Sequence, residues 1–231
     1  MSQNNPPWPF GFTVNPRPAM PDAAWVEAFR QVPVAHASDC MGRHVGGLGL
    51  KAYHGSLTLG LCGPAITVRI RPGDNLMIHQ AMLLAEPGDV IVIDGAGDLT
   101  QAVIGGLMRT TALTKRLGGF VVNGALRDVA EWAEGEMPVY ALGHVHRGPS
   151  KDGPGEVNVP VACAGLSVSP GDLILGDADG VVAIPAAQLA SLLPRVQAHA
   201  KKEARIREAN QAGNPDLERF NALLRSKGCP V

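Results

Sequence analysis

The stretch that decides the fold runs from residue 89 to residue 132 and reads "DVIVIDGAGDLTQAVIGGLMRTTALTKRLGGFVVNGALRDVAEW". An apolar, β-branched run at 89–95 predicts a buried strand, and a second run at 119–124 predicts another. Between them, residues 100–118 have the pattern of a helix, which the glycines at its end would close. Strand, helix and strand at this spacing indicate an α/β fold in which at least some strands pair in parallel.

The same alternation continues on both sides of this stretch. Residues 64–70 ("PAITVRI") predict a strand, and residues 75–85 ("NLMIHQAMLLA") have helical spacing, with Asp74 placed to cap the helix. On the other side, residues 125–135 predict a turn into a short helix, and residues 138–142 ("PVYAL") predict the next strand. The α/β pattern therefore extends over the middle of the chain.

The pattern changes in the C-terminal part of the chain. Residues 155–185 are rich in Val and Gly without a helical period, and they predict several short strands joined by tight turns. Within them, "GDADG" at 176–180 resembles part of a calcium loop but lacks the rest of that pattern, which favours a hairpin. A long charged helix is expected from 185 to about 213, bent at Pro194, with a short helix at 215–228.

The tripeptide Pro-Gly-Asp occurs three times, beginning at Pro72, Pro87 and Pro170. Each copy stands where a turn leads into a regular element, because Pro presets φ and Gly permits a positive φ. The last two copies are followed by "VIVIDGAGD" and "LILGDADG", a local similarity that turn chemistry explains as well as duplication would.

These patterns divide the chain into an N-terminal arm at 1–25, one domain at 26–185 and C-terminal helices at 186–231. The arm is polar and rich in proline, unlike a signal peptide, and we expect it to be extended, lying on a neighbouring subunit or mobile. The four cysteines have no CxxC spacing, which indicates reduced thiols in a cytoplasmic protein.

Composition excludes several classes of function. With 231 residues, 45% of them apolar and 18% charged, the chain has the composition of a globular protein. The net charge of -1 gives no electrostatic basis for binding nucleic acid or anionic lipid, and 4% aromatic residues provide few stacking platforms. No apolar run approaches the roughly 18 residues of a membrane span. We therefore expect neither a nucleic-acid partner nor a membrane.

Arg127 and Asp128 are adjacent at the end of the second predicted strand. Such a pair is most often a solvated turn, but ligands of α/β sheets collect beyond the carboxyl ends of strands. The glycine pair in "IGGLM" would let a ligand approach free backbone amides, and such amides at a helix N-terminus bind carboxylates. The amides concerned belong to Gly105, Gly106, Leu107 and Met108. A carboxylate cradle, an Arg and an Asp suit a metal-bound oxo acid.

Histidines offer weaker alternatives. His144 and His146 would point to one face of an extended segment and could bind Zn²⁺ or Ni²⁺, but no nearby residue completes a tetrahedral set. His79 is the best histidine to line the cleft, and Asn75, at the start of the same helix, is predicted with it to bind substrate. The GxG at 95–97 lacks the third glycine of a dinucleotide fingerprint, so we expect no NAD.

Four segments together resemble one known family. They are "RPGDNLMIH" (71–79), "GGFVVNGALRD" (118–128), "VNVPVACAGLSVSPGDLILGDADGVVAIP" (157–185) and the Lys-Glu pair in "AKKEARIREA" (200–209). Their order and spacing resemble the RraA-like proteins, which include the metal-dependent 4-hydroxy-4-methyl-2-oxoglutarate/4-carboxy-4-hydroxy-2-oxoadipate aldolases. The resemblance implies an α/β/β sandwich of the swivelling-domain type with a C-terminal helical extension. It also implies homotrimers or dimers of trimers with sites between subunits.

The resemblance further implies roles for individual residues. Asp128 would hold Mg²⁺ or Mn²⁺, largely through water, and Arg127 would contact the keto or enolate oxygen of a small 2-oxo acid. Glu131 fits the aldolase pattern as a second metal-site acid, and Glu203 matches a C-terminal glutamate that reaches a neighbour's site. The amides of residues 105–108 would hold the pyruvyl carboxylate. Members that regulate ribonuclease E lack the acid at the position of Asp128, so its presence favours a metal enzyme.

This sequence departs from the aldolase pattern at one position. The pattern has an Asp separated from the Arg by twenty residues, and that acid helps to order the water that transfers a proton. Counting back from Arg127 leads to Gly106, which has no carboxylate. Asp98, expected on the loop after "VIDGAG", could approach the same pocket. Either another group moves the proton or the substrate differs.

The predicted function is a divalent-metal-dependent lyase. It would cleave a small 4-hydroxy-2-oxo diacid to pyruvate and a second oxo acid, and it would also decarboxylate oxaloacetate, since both reactions pass through the pyruvate enolate. Two alternatives remain open from the sequence. One is a non-catalytic regulatory protein that uses the same scaffold to bind a protein partner, and the other is a different metal-assisted reaction of a 2-oxo acid.

Overall fold

The computed structural model describes residues 9–231, and its strands form two layers. The strands are β1 (Phe12–Val14), β2 (Lys51–Ala52), β3 (Leu61–Ile70), β4 (Val90–Ile104), β5 (Gly119–Leu126), β6 (Val139–His144), β7 (Gly155–Val157), β8 (Val161–Cys163), β9 (Leu166–Val168), β10 (Leu173–Asp177) and β11 (Gly180–Ile184). The helices are α1 (Ala23–Phe29), α2 (Val34–Cys40), α3 (Leu76–Leu84), α4 (Gly106–Lys115), α5 (Val129–Ala133), α6 (Leu189–Gln211) and α7 (Glu218–Ser226).

The main sheet is built on four parallel neighbours, β3, β4, β5 and β6. Its apolar side chains alternate between the two faces. Ile91 and Ile93 pack with α3, α4 and α5. Val90 and Val92 pack on the other face, against the second layer, which consists of β8, β9, β10 and β11. All four side chains are fully buried, and each such burial contributes roughly 1.5–3 kcal/mol relative to exposure. A strand covered on both faces has to be apolar throughout, which explains the continuous run "VIVI".

Strand β3 links the two layers. Its first residues, from Leu61 to Pro64, pair antiparallel with β10, and its later residues pair with β4 and β7. The hairpin of β10 and β11, predicted at "GDADG", is confirmed by the pairing of Asp177 with Gly180. The outer face of this hairpin packs on α1, α2 and α6. The predicted α/β/β sandwich with C-terminal helices is therefore confirmed.

The helix predicted at residues 100–118 begins later than expected. Residues 100–104 continue β4, and α4 starts only at Gly106. Ala102, Val103 and Ile104 are buried at the sheet edge, so the apolar residues that suggested a helical face instead extend the strand. The same extension places Asp98 in β4, between register shifts and opposite Gly124, rather than on a loop. The prediction was wrong because a short apolar run is compatible with either period.

The described part of the N-terminal arm lies against the chain's own sheet. Strand β1 pairs in parallel with β7. The guanidinium of Arg17 then donates two hydrogen bonds, of 2.9 and 2.8 Å, to the carboxylate of Asp89, which is 1% exposed. This two-point contact fixes the end of the arm beside the start of β4. Residues 1–8 of the predicted arm lie outside the described residues.

The three Pro-Gly-Asp turns share one construction. Their glycines have φ values of 73°, 90° and 87°, as the sequence predicted. The aspartates that follow, Asp74, Asp89 and Asp172, are buried, and each carboxylate accepts at least one backbone N–H. The turns are thus closed by a buried acid.

Among residues 9–231, no helix combines the length and apolar character needed to cross a bilayer.

Asp74 makes the largest of these networks. Its carboxylate accepts N–H groups of Leu76, Asp152 and Gly153 and the hydroxyl of Ser150. Burial alone would raise the pKa of Asp74, but the hydrogen bonds outweigh it, and the pKa lies below its ordinary value. The ionised acid therefore ties the loop at 150–153 to the start of α3.

Replacing Asp74 with Asn should lower the free energy of unfolding by about 2 kcal/mol or more at pH 7, because charged hydrogen bonds are lost in a buried site. The pKa of Asp74 is lowered in the folded state, so its contribution is present above the unfolded pKa of about 3.9 and is lost as pH falls through the folded value. Denaturant unfolding at several pH values measures the difference, with the exposed Asp152→Asn as control. Equal stability of Asp74→Asn and the parent at pH 7 would contradict this account.

Candidate functional site

A small cavity of about 100 Å³ opens where the main sheet meets helix α4. Ile104 at the end of β4 pairs with Leu126 at the end of β5, so the residues after both strands meet at one edge of the sheet. The cavity is lined by Asn75, His79, Val103, Ile104, Gly105, Leu107, Met108, Arg127, Pro149 and Lys151. Six of the predicted substrate-binding residues are therefore brought together: Asn75, His79, Gly105, Leu107, Met108 and Arg127.

The Arg127–Asp128 turn folds back on the glycine pair. Asp128 has a φ of 59°, a left-handed conformation that is unusual for a residue with a side chain and often marks functional sites. This conformation lets the N–H of Gly106 donate to Oδ2 of Asp128 at 2.8 Å. The indole N–H of Trp132 donates to the carbonyl of Arg127 at 2.9 Å and holds the turn from the other side.

Gly105 is required for this close approach. A Cβ built at Gly105 would lie 2.5 Å from Oδ2 of Asp128 and 2.9 Å from Cγ of Arg127, closer than atoms can pack. The missing side chain of Gly148 likewise leaves room for the guanidinium, because a Cβ there would lie 2.8 Å from Nη1 of Arg127. Arg127 and Asp128 are 40% and 39% exposed, so both remain accessible to a ligand.

Two of the four backbone N–H groups predicted to bind a carboxylate, at residues 105–108, already donate to groups of the protein itself. The N–H of Gly106 is taken by Asp128, and the N–H of Met108 donates to the carbonyl of Gly105 at 3.0 Å. The amides of Gly105 and Leu107 belong to residues that line the cavity. They lie at the N-terminus of α4, where the helix dipole favours an anion.

Glu131 fills the space beside Gly106. A Cβ built at Gly106 would lie 2.6 Å from both Cδ and Oε1 of Glu131, so that carboxylate stands where a side chain of residue 106 would begin. The carboxylates of Asp128 and Glu131 therefore lie against the same two-residue stretch of backbone. Two carboxylates give an oxygen-only set of donors, which suits a hard cation such as Mg²⁺ that keeps several waters. The residues present fit the implied metal.

Polar groups from two other elements complete the cavity wall. Asn75 is 4% exposed and donates to the carbonyl of Val103 at 3.1 Å, while its Oδ1 has no partner among residues 9–231. Burial, with a smaller effect of Lys151, lowers the pKa of His79, which favours the neutral imidazole. Sequence reasoning missed Lys151, because its only local signal is one Lys in a Gly- and Pro-rich loop. The Asp74 network brings that loop to the cavity.

Four other predicted residues, Glu203, His144, His146 and Asp98, are not among the residues that line this cavity. Glu203, on α6, contacts His36 and His199 of its own chain. Nδ1 of His144 lies 3.2 Å from the hydroxyl of Tyr53, and neither His144 nor His146 belongs to a group of three metal-capable side chains within residues 9–231. Asp98 accepts from the backbone and hydroxyl of Thr100 and is not among the lining residues.

The part of the chain that forms the cavity is similar in sequence to known proteins. A sequence model of the family described as "RraA-like: Aldolase/RraA" matches residues 34–183, which include every lining residue but not Glu203. A relative from Halalkalibacterium halodurans, provisionally named a 4-hydroxy-4-methyl-2-oxoglutarate aldolase, is 44% identical over 162 residues, or 70% of this chain and 76% of the relative. A Thermus thermophilus relative named 4-hydroxy-4-methyl-2-oxoglutarate aldolase is 36% identical over 48% of this chain and 68% of its own length.

One solved structure extends the similarity to the fold. It is Streptomyces coelicolor RraAS2, described as an unusual member of the RNase ES inhibitor RraA protein family. It superposes with a TM-score of 0.75 at 26% identity, covering 82% of this chain and 98% of that protein. The shared architecture therefore includes most of the chain.

Replacing Gly105 with Ala should destabilise the fold by about 1–3 kcal/mol, because the added methyl would displace the Asp128 carboxylate and the Arg127 side chain. Denaturant unfolding measures the change. Leu107→Ala is the matched control, since Leu107 is 84% exposed and its loss should alter stability by no more than about 0.5 kcal/mol. Equal stability of both variants would mean that the turn does not depend on Gly105.

Proposed function

The chain belongs to the RraA-like family, and from that premise we propose that it is a divalent-metal-dependent carbon–carbon lyase. Its substrate would be a small 4-hydroxy-2-oxo diacid, cleaved to pyruvate and a second oxo acid. The observation that carries the proposal is the left-handed Asp128, whose carboxylate closes on Gly106 beside that of Glu131 and the guanidinium of Arg127. The aldolase names of the relatives from H. halodurans and T. thermophilus support the same reaction.

Substrate binding follows from the charges around the cavity. The substrate carboxylate would lie at the N-terminus of α4, near the amides of Gly105 and Leu107, in a cavity that Lys151 also lines. Arg127 would donate to the 2-oxo oxygen, whose negative charge increases as the enolate forms. Asp128 would hold Mg²⁺ or Mn²⁺ directly and Glu131 would reach it only through water, and the bound cation supplies Lewis-acid stabilisation of the same developing charge.

Cleavage requires a base for the proton of the C4 hydroxyl. The family pattern has an acid at the position of Gly106, and the Glu131 carboxylate occupies the adjoining space in this chain. We assign Glu131 to that role, acting on the hydroxyl through an ordered water. As the proton leaves, the C4 hydroxyl becomes the carbonyl of the second oxo acid and the C3–C4 bond breaks. The electron pair of that bond remains with the pyruvate fragment, which leaves it as an enolate. Protonation of the enolate at C3 then gives pyruvate.

Loss of the Asp128 carboxylate should abolish turnover. Asp128→Ala is expected to lower kcat/KM at least about 100-fold for pyruvate release from 4-hydroxy-4-methyl-2-oxoglutarate and from oxaloacetate, because transition-state stabilisation is lost. EDTA should have the same effect on the parent, with recovery on adding Mg²⁺. Asp179→Ala, in the β10–β11 turn, is the control. Failure of the parent to release pyruvate from either compound with Mg²⁺ would overturn the proposal.

Glu131→Gln should separate two reactions that share an enolate. Aldol cleavage needs the hydroxyl base and should fall by about 10²–10⁴-fold. Decarboxylation of oxaloacetate needs no such base, since the electron pair comes from the carboxylate that leaves as CO₂, and it should change only several-fold. Steady-state pyruvate release from both substrates measures the ratio. An equal fall in both activities would mean that Glu131 acts through the metal or the fold instead of as the base.

A regulatory function is the second candidate. It is favoured by the RraAS2 structure, whose description names an RNase ES inhibitor family. In that case Asp128→Ala would leave the regulatory effect intact, whereas the lyase proposal requires that this variant lose activity.

For either function we propose a homotrimer or a dimer of trimers, which light scattering of the purified chain would distinguish. A cytoplasmic setting would suit the four cysteines, all of which are free thiols and three of which are buried.

A further inference from the structure

A second polar cluster lies between helices α2 and α6, away from the cavity. Helix α2 contributes His36 and Asp39, three residues apart, and helix α6 contributes His199 and Glu203, four residues apart. These spacings place both members of each pair on one helix face. Apolar packing between the helices holds the two faces together through Val34, Ala37, Leu189, Leu192 and Val196.

The donor atoms of the cluster converge. Nε2 of His36 lies 2.9 Å from Oε2 of Glu203, and Nε2 of His199 lies 3.2 Å from Oε1 of the same carboxylate. Nε2 of His199 is also 3.4 Å from Oδ2 of Asp39. One ligand atom from each of His36, His199 and Glu203 lies within 4.8 Å of the others, and residues 9–231 contain no other such group of three.

These separations match a small tetrahedral metal site. Nitrogen and oxygen ligands bind Zn²⁺ at about 2.0–2.2 Å, which puts neighbouring ligand atoms on a tetrahedron roughly 3.3–3.6 Å apart. The observed separations of 2.9, 3.2 and 3.4 Å lie close to that range, and the ligand atoms of His36 and His199 lie within 4.8 Å of each other, so an ion would draw the two rings together. Asp39 would supply a fourth ligand, although it also pairs with Arg43 at 3.3 Å, and water could take that position instead.

The orientation of the rings supports this chemistry. The imidazoles of His36 and His199 are 18% and 21% exposed and meet edge to face, with centroids 5.1 Å apart. Nδ1 of His36 is buried without a hydrogen-bond partner in the part of the chain that the structure describes, so Nε2 is the only atom through which the ring makes a polar contact. A cleft lined by Asp39, His199 and Glu203 gives an ion access from solvent.

We propose that His36, His199 and Glu203 form a second divalent-metal site, with Asp39 or water as fourth ligand. Two imidazoles and one or two carboxylates select Zn²⁺ or a similar first-row transition metal, whereas the oxygen-only pair of Asp128 and Glu131 suits Mg²⁺. The ion would join α6 to α2 and hold Glu203 on its own chain. Bound in this way, Glu203 would not reach a neighbour's site as the resemblance implies. The proposed lyase activity is argued from Arg127, Asp128 and Glu131, so the two proposals stand separately.

Titration of the untagged, EDTA-stripped chain with Co²⁺ tests the site, because tetrahedral Co²⁺ has a characteristic visible absorption that Zn²⁺ displaces. The parent and Asp128→Ala should each bind one Co²⁺ per chain with that spectrum, and Zn²⁺ should raise the melting temperature of both. His199→Ala and His36→Gln should bind at least about 100-fold more weakly. The double variant His144→Ala/His146→Ala is the matched histidine control and should bind like the parent.

Two outcomes would overturn the proposal. One is a parent chain that shows no tetrahedral Co²⁺ spectrum, and the other is undiminished binding by a folded His199→Ala or His36→Gln. Circular dichroism and the melting temperature without metal establish that each variant is folded, and His36→Gln decides the question if His199→Ala does not fold. Loss of lyase activity in Asp128→Ala with retained Co²⁺ binding would separate the two metal sites.

Discussion

Parallel pairing of β4 with β5 is the constraint on which the site depends. It brings the residues after both strands to one edge of the sheet, so that the Gly105–Gly106 backbone meets the Arg127–Asp128 turn. Two carboxylates then close on a stretch of backbone that has no side chains of its own. A side chain at Gly105 would clash with the turn, and one at Gly106 would displace Glu131. The glycine pair is therefore a steric condition of the site as well as a source of amides.

The position of another part of the cavity wall depends on a Pro-Gly-Asp turn. Asp74, the last residue of a Pro-Gly-Asp turn, is fully buried and holds the loop at 150–153 through hydrogen bonds to backbone and hydroxyl groups. That loop carries Lys151, and the helix that begins beside Asp74 carries Asn75 and His79. One buried carboxylate thus determines the position of two elements of the cavity. Stability and the shape of the cavity are linked at this residue.

The two proposed metal sites differ in ligand chemistry. Asp128 and Glu131 offer only oxygen, are partly exposed, and leave room for water and substrate, as catalysis with a hard cation requires. His36, His199 and Glu203 offer nitrogen and oxygen on two packed helices, and this arrangement suits a borderline transition metal. Because the donor types differ, the site between α2 and α6 would favour Zn²⁺ over Mg²⁺, whereas the carboxylates of Asp128 and Glu131 suit Mg²⁺.

The sequence by itself determined the features that are encoded locally. Alternating periods predicted the α/β layers, Pro-Gly-Asp predicted the turns, and the position of Arg127 and Asp128 after a strand indicated a place where a ligand could bind, which stays a prediction. The start of α4 could not be predicted, because "TQAVI" fits a strand or a helix until the neighbouring strand β5 is present. Only the tertiary structure decided that Glu131 stands beside Gly106 and that His36 meets Glu203, 167 residues away. Such contacts depend on how distant elements pack, and no local pattern of residues records that packing.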